Sequence, residues 1–372
     1  MFHFKKKKFL LAITPIIIIL GAFFFINTFK IDNSNIALNE NNEPEIDFFE
    51  KIRVMCTGNN FFVDQCLKKN VLNNEKKILW IGNSQLNTVN QFKFGERASP
   101  VILYSSLKKN KIDLTTFYYP NLSLLEYYIL LSYLVNKNDF KIIILPLFFD
   151  DTREQEIRDD IKTFLSNKDL TEYLSQSSLG KKILSQNTGN KIYIKKKDIE
   201  QKSLQENFEK KIISFLNYEF NWTNKINFHE IRLNNFIYRL RNTIFGINPS
   251  TTRKLIPHSY NLNIEAFKEI IELSKKKNIK VFSYIPPIRN DTKIPYNLIE
   301  YENFIKDIKV ILDQNELTLF NYENLIPNNY WGTMETTNLT KDQDIDFMHF
   351  EYPGHQILSK QIYDDLKKIN DF

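Results

Sequence analysis

The feature that most constrains the fold of this chain is a repeated alternation of short, nearly all-apolar runs with longer amphipathic segments. Residues 76–81 form such a run, closed by Gly82, and read as a buried strand. Ser99 followed by Pro100 then makes an N-cap and first-turn pair, with apolar positions behind it over 101–107. The cycle recurs with a strand over 112–118, a break at Pro120, a helix over 122–135 and a strand over 141–149. Later come a helix over 264–276, a strand over 279–285, a helix over 301–312, a strand over 317–321 and a last helix over 353–368. Apolar strands alternating with helices predict an α/β domain, a three-layer sandwich with about five parallel strands covered on both faces.

Between residues 155 and 260 the alternation stops. Polar, Lys-rich helical stretches around 198–216 and 229–244 predict a helical insertion: a solvated cover, a lid or a docking surface. The other boundaries follow from composition. Lys5 to Lys8 precede an uncharged run over residues 9–29, long enough as a helix to span a hydrocarbon core of roughly 30 Å. Phe and Ile continue to its end without a small-residue cleavage site, so an uncleaved anchor is expected, with the lysines inside and the rest outside. Residues 1–30 are therefore read as cytoplasmic tip and transmembrane anchor, 31–75 as a tether with a Cys-containing segment, and 76–372 as the working domain.

The formal charge of +6 falls to 6 − 4 = +2 once the four lysines before residue 30 are set aside, which argues against a nucleic-acid partner. Cys56 and Cys66 lie close together beyond the anchor, where a disulfide and two packed thiols are both open readings. No Cys/His spacing resembles a metal site, and no cofactor is expected.

Ligands of an open parallel sheet bind at the carboxyl ends of its strands. The residues predicted there are polar: Gly82, Asn83, Ser84 and Gln85; Pro120 and Asn121; Asp150, Asp151, Thr152, Arg153 and Glu154; Arg289, Asn290 and Asp291. Ser84 follows a glycine that permits a tight turn, and a serine hydroxyl needs a base. His349 supplies one, Asp346 three residues earlier orients it, and together they make a triad in the order Ser, Asp, His. Asn121 is a candidate second oxyanion donor beside the Ser84 N–H, or a cap for the helix after it. Tyr330 and Trp331 are candidates to stack on a sugar, or core aromatics. Asp150, Asp151 and Arg153 are candidates to bind an acceptor, or a salt-bridged cluster fixing the loop. His355 is expected in the last helix as a surface residue.

Gly82, Asn83 and Ser84, with Asp346 and His349 near the C terminus, resemble the first and last blocks of the SGNH hydrolase superfamily, the GDSL esterase/lipase group. That superfamily's flavodoxin-like sheet matches the predicted element order. The pattern departs at the third block, where a Gly and an Asn precede an Asp; here the chain reads Phe148, Phe149, Asp150, Asp151. The anchored arrangement is similar to extracytoplasmic members that work beside membrane-bound O-acyltransferases, the D-alanyl-lipoteichoic acid transfer and alginate acetylation types. The resemblance implies an O-acyltransferase or esterase acting on acyl esters of a cell-surface or secreted glycan, outside a bacterial cytoplasmic membrane, next to a membrane O-acyltransferase. Two other readings compete: a non-catalytic assembly or glycan-binding factor of the same fold, and a glycoside hydrolase using Asp150 or Asp151.

Overall fold

The computed structural model describes residues 47–50, 52–69, 76–187, 237–339 and 343–369. The expected anchor at 9–29, the tether up to residue 46 and the expected helix at 198–216 lie outside the described residues. Among the described residues, no helix is long and apolar enough to cross a membrane.

The chain divides into two compact units. The described residues of the smaller are 237–248 and 335–339. Its described part is a helix over 237–244 and the segment 335–339, where the buried Asn242 side chain donates to the Thr337 carbonyl at 3.0 Å.

The larger unit is an α/β structure around six strands in the order β3-β5-β4-β6-β7-β8. These are β3 (Met55–Cys56), β4 (Lys76–Gly82), β5 (Ile112–Tyr118), β6 (Ile142–Pro146), β7 (Lys280–Ile285) and β8 (Leu319–Asn321), and every pairing is parallel. Alternate side chains of β4 go to opposite faces, as a pleated strand requires. Ile78 and Trp80 join one core with Ile112 and Leu114, whereas Leu79 and Ile81 join the other with Phe117. A β-ribbon of β1 (Phe48–Phe49) and β2 (Ile52–Arg53) precedes β3.

Five strands were expected and six are present. The extra one, β3, is only two residues long and leaves no apolar run for periodicity to detect. It comes from the Cys-containing segment, and a disulfide joins Cys56 on β3 to Cys66 on α1 (Asn60–Lys69).

Helices cover both faces. On one side lie α2 (Ser99–Lys108) and α9 (Tyr352–Ile369); on the other lie α3 (Leu124–Lys137), α7 (Pro257–Lys276) and α8 (Leu298–Asp313). Residues 124–135 of α3 are all buried, so this helix needs a second cover. The described start of the insertion supplies it: α4 (Asp159–Lys162), α5 (Lys168–Leu174) and α6 (Ser178–Asn187) place Ile161, Leu170, Leu174 and Ile183 in the same core.

One helix start differs from expectation. Ser99 does not cap α2; Ala98 holds the cap position without a side-chain bond, and the Ser99 hydroxyl lies 2.7 Å from His355 Nδ1. Two further strands, β9 (Trp331–Glu335) and β10 (Gln343–Phe350), form a separate two-stranded sheet that the apolar pattern does not foretell.

Candidate active site

The strand order reverses at β4, with β5 on one side of it and β6 on the other, and it is at such a switch point that a crevice opens above a parallel sheet. The β4–β5 register, Lys76↔Ile112 through Gly82↔Tyr118, ends both strands at one level. Beyond Gly82 the chain turns at once into a 3₁₀ turn, Ser84–Leu86. A Cβ on Gly82 would lie 2.3 Å from Leu86 Cδ1, so only glycine lets the turn fold back this closely. Asn83 caps the turn, its Oδ1 accepting from the Gln85 N–H at 3.1 Å. Among the described residues, no group takes the Ser84 backbone N–H, which sits in the open first turn of a helix, where amide hydrogens lack internal partners.

Strand β10 brings the other two members. His349 Nε2 lies 2.9 Å from Ser84 Oγ, and His349 Nδ1 lies 3.0 Å from Asp346 Oδ2. Asp346 Oδ1 accepts the N–H groups of Met348 and His349, both at 2.9 Å. Burial pushes the Asp346 carboxyl up, but the neighbouring His349 and these amide donors outweigh it and hold the group below the usual carboxylate range. An ionised carboxylate only accepts, so the proton between the two sits on Nδ1. Nε2 is left with a lone pair for the Ser84 hydroxyl. The three side chains expected from the sequence thus form a connected Ser–His–Asp relay, with Asp346 buried and His349 and Ser84 half-buried.

Gln85 ties the serine turn both to the histidine segment and to the loop after β7. The Gln85 amide nitrogen donates to the Pro287 carbonyl at 2.9 Å and to the Met348 carbonyl at 2.7 Å. The sequence places Gln85 at the strand end but gives no sign of these two bonds, because its partners lie 202 and 263 residues away.

The remaining expected residues divide. Asn121 is exposed in a left-handed turn (φ 54°) with no hydrogen bond to Ser84, Asp346 or His349; its carbonyl accepts from Arg158 at 2.6 Å. The capping alternative for Asn121 is corrected, since Ser123 caps α3. Asp150 is held by Arg253, by Arg153 at 3.4 Å and by the Tyr296 hydroxyl at 3.0 Å, which is the salt-bridged cluster of the alternative reading. Asp151 is buried beneath the serine turn. Its Oδ1 accepts from Asn83 Nδ2 at 3.3 Å, and burial drives its carboxyl well above the ordinary range, outweighing that bond. Tyr330 is half-buried, whereas Trp331 is buried edge-on against Phe350 and donates its indole N–H to the Ile326 carbonyl at 3.3 Å. The Trp331 ring is therefore packed as core rather than presented for stacking on a sugar.

His355 is not the surface residue expected. It is fully buried, its Nδ1 accepting from the Ser99 N–H at 3.1 Å and its Nε2–H donating to the Thr88 carbonyl at 3.1 Å, so it pins the loop after the serine turn to α9. Burial is the main cause that drops its pKa from 6.5 to about 3. Between those values the unfolded chain binds a proton that the folded chain refuses, so this contribution is present above pH 6.5 and is lost as pH falls toward 3. Urea denaturation of the wild type and His355→Gln at pH 7.5 and pH 5.5 is expected to show the wild-type advantage shrinking by about 1.4 kcal/mol per pH unit below 6.5. An advantage that does not change with pH would mean that His355 takes up its proton as readily in the folded protein as in the unfolded chain.

Among the described residues, no cluster of His, Cys, Asp or Glu is arranged to hold a metal ion. No family model and no curated protein matches the chain. The solved structures that align with the chain include a crystal structure matched over 80% of this chain and 99% of its own, at 10% identity and a TM-score of 0.36.

Proposed function

We propose that this chain is a membrane-anchored serine esterase or O-acyltransferase of the SGNH type, acting on acyl esters of a cell-surface or secreted glycan. The observation that carries the reading is the Ser84–His349–Asp346 relay, with bonds of 2.9 and 3.0 Å, at the switch point of the sheet. The strand order supports it: setting the edge strand β3 aside and renumbering from β4 gives 2-1-3-4-5, the flavodoxin-like order expected from the resemblance. The anchor at residues 9–29, a bacterial cytoplasmic membrane and a membrane O-acyltransferase partner enter from the sequence reading alone.

In this mechanism Ser84 Oγ attacks the acyl carbonyl carbon while its proton passes to His349 Nε2. Asp346 stabilises the imidazolium and the Ser84 N–H receives the developing oxyanion. Collapse breaks the bond to the leaving alcohol, which takes the proton from Nε2 and leaves Ser84 acylated. A sugar hydroxyl, or water in the esterase case, then gives its proton to His349 Nε2 and its oxygen to the acyl carbon; collapse breaks the Ser84 Oγ–acyl bond and the Nε2 proton returns to Oγ.

The test is incubation of the full-length protein with a fluorophosphonate probe, mapping of the adduct by mass spectrometry, and a parallel assay on a short p-nitrophenyl ester. An adduct on Ser84 together with ester turnover is the expected result. A folded protein that takes no adduct and turns over no ester in the presence of its membrane fraction overturns the catalytic reading in favour of the assembly factor.

A further inference from the structure

We infer that Asn90, seated against Gly332, is a positioning residue that sets the Asp346–His349 pair. Asn90 lies on the loop after the serine turn and is buried. Its Nδ2 donates to Asp346 Oδ2 at 3.1 Å, the same oxygen that receives His349 Nδ1–H, and to the His349 carbonyl at 3.4 Å. Its backbone N–H donates to the Phe350 carbonyl at 3.0 Å. One residue thus grips the Asp–x–x–His segment at both ends and holds the carboxylate oxygen that orients the imidazole.

Gly332 on β9 makes room for this grip. A Cβ there would stand 2.1 Å from Asn90 Oδ1 and 2.4 Å from Asn90 Cγ, so the amide rests where only a glycine leaves space. The strand cannot move aside freely, because the Gly332 carbonyl accepts from Arg289 Nη1 at 2.9 Å and the Arg289 N–H donates to the Phe347 carbonyl at 3.2 Å. A methyl group on Gly332 must therefore displace the Asn90 amide from Asp346, two steps away from the imidazole.

The chemistry gives the sign. The Asn90 donor shares the negative charge of Asp346 Oδ2 with His349; removing it leaves more of that charge facing Nδ1–H and makes the imidazole more basic. Asn90→Ala is expected to move the low-field proton resonance of His349 Nδ1–H and to shift the acid limb of kcat/KM up by roughly half to one pH unit. It is expected to lower kcat about tenfold through misplacement of the base, with KM unchanged. Gly332→Ala should reproduce all three changes, and the double variant should add nothing to either single one.

The kinetic arm rests on the catalytic reading, whereas the proton spectrum of the full-length protein does not. If the wild type neither turns over ester nor takes the probe, that reading fails while the Nδ1–H resonance still reports on Asn90. Folded Asn90→Ala with an unmoved resonance, or additive effects in the double variant, overturns the inference. Asn90→Asp, which keeps the shape and replaces the donor by an acceptor facing Asp346, should move the resonance as well and serves if the alanine variant fails to fold.

Discussion

Ser84→Ala is expected to lower ester turnover by about 10⁶-fold, and His349→Ala by as much, because neither nucleophile nor base works without the other. Asp346→Asn is expected to cost less, about 10⁴-fold. The physical reason lies in the donors around Asp346. Its carboxylate accepts from Met348 N–H, His349 N–H, Asn90 Nδ2 and His349 Nδ1–H, so every bond it makes in the relay points inward. An amide in its place must turn an NH₂ group toward one of these donors or toward His349. If it faces His349, the imidazole proton shifts to Nε2, and the atom that should take the Ser84 proton already holds one. Steady-state kinetics on purified variants of matched melting temperature check the order. A Ser84→Ala/His349→Ala double variant no slower than either single one would confirm that the residues act as a unit. Losses that multiply would show that they do not.

The second large effect is on stability. Arg158→Ala is expected to cost about 3 kcal/mol, at the low end for breaking a buried ion pair because the arginine is itself partly exposed. Glu126 is almost wholly buried in the first turn of α3 and takes Arg158 Nε at 2.8 Å and Nη2 at 3.0 Å, besides the Arg158 and Ser123 backbone N–H groups at 2.8 and 3.0 Å. Removing the guanidinium leaves a carboxylate in the core with its charge unmatched. It also frees the Pro120 and Asn121 carbonyls, both of which Arg158 holds, on the loop whose Tyr119 N–H meets the Gly82 carbonyl at 3.1 Å. The loss is therefore expected to reach the serine turn. Chemical denaturation reads the first part. Pairing Arg158→Met with Glu126→Gln should recover most of the stability, since the uncompensated charge is gone. A double variant as unstable as Arg158→Ala would place the cost in the loop carbonyls instead.

The parts of this molecule that were legible in its sequence are those whose signal is local. The strand at 112–118 was expected near those bounds and is found as Ile112–Tyr118, because a stretch rich in β-branched and aromatic residues ends at a tyrosine pair and Pro120 cannot extend the ladder. Ser84 was found by Gly82, two residues earlier at the strand end, and Asp346 and His349 by their spacing ahead of a helix. What stayed hidden acts over distance. Asn90 and Gln85 are ordinary polar residues of a loop, and what they hold lies more than 200 residues further on. His355 sits at the start of a helix whose packing face its own periodicity does not specify, so its burial against Thr88 and Ser99 becomes visible only when α9 meets α2. β3 is too short to have a pattern at all.

Gln85, Asn90 and Ser84 each make a bond that ends on β10, as many as 265 residues downstream. This span makes the relay a test of completeness. During synthesis the serine turn emerges early, with no imidazole to activate it and no carboxylate to align one, so an unfinished or C-terminally clipped copy carries an inert alcohol. Under the proposed function, Ser84 becomes reactive only once β10 and α9 have closed over the sheet, which would confine a chemically aggressive group to chains that have folded through both elements.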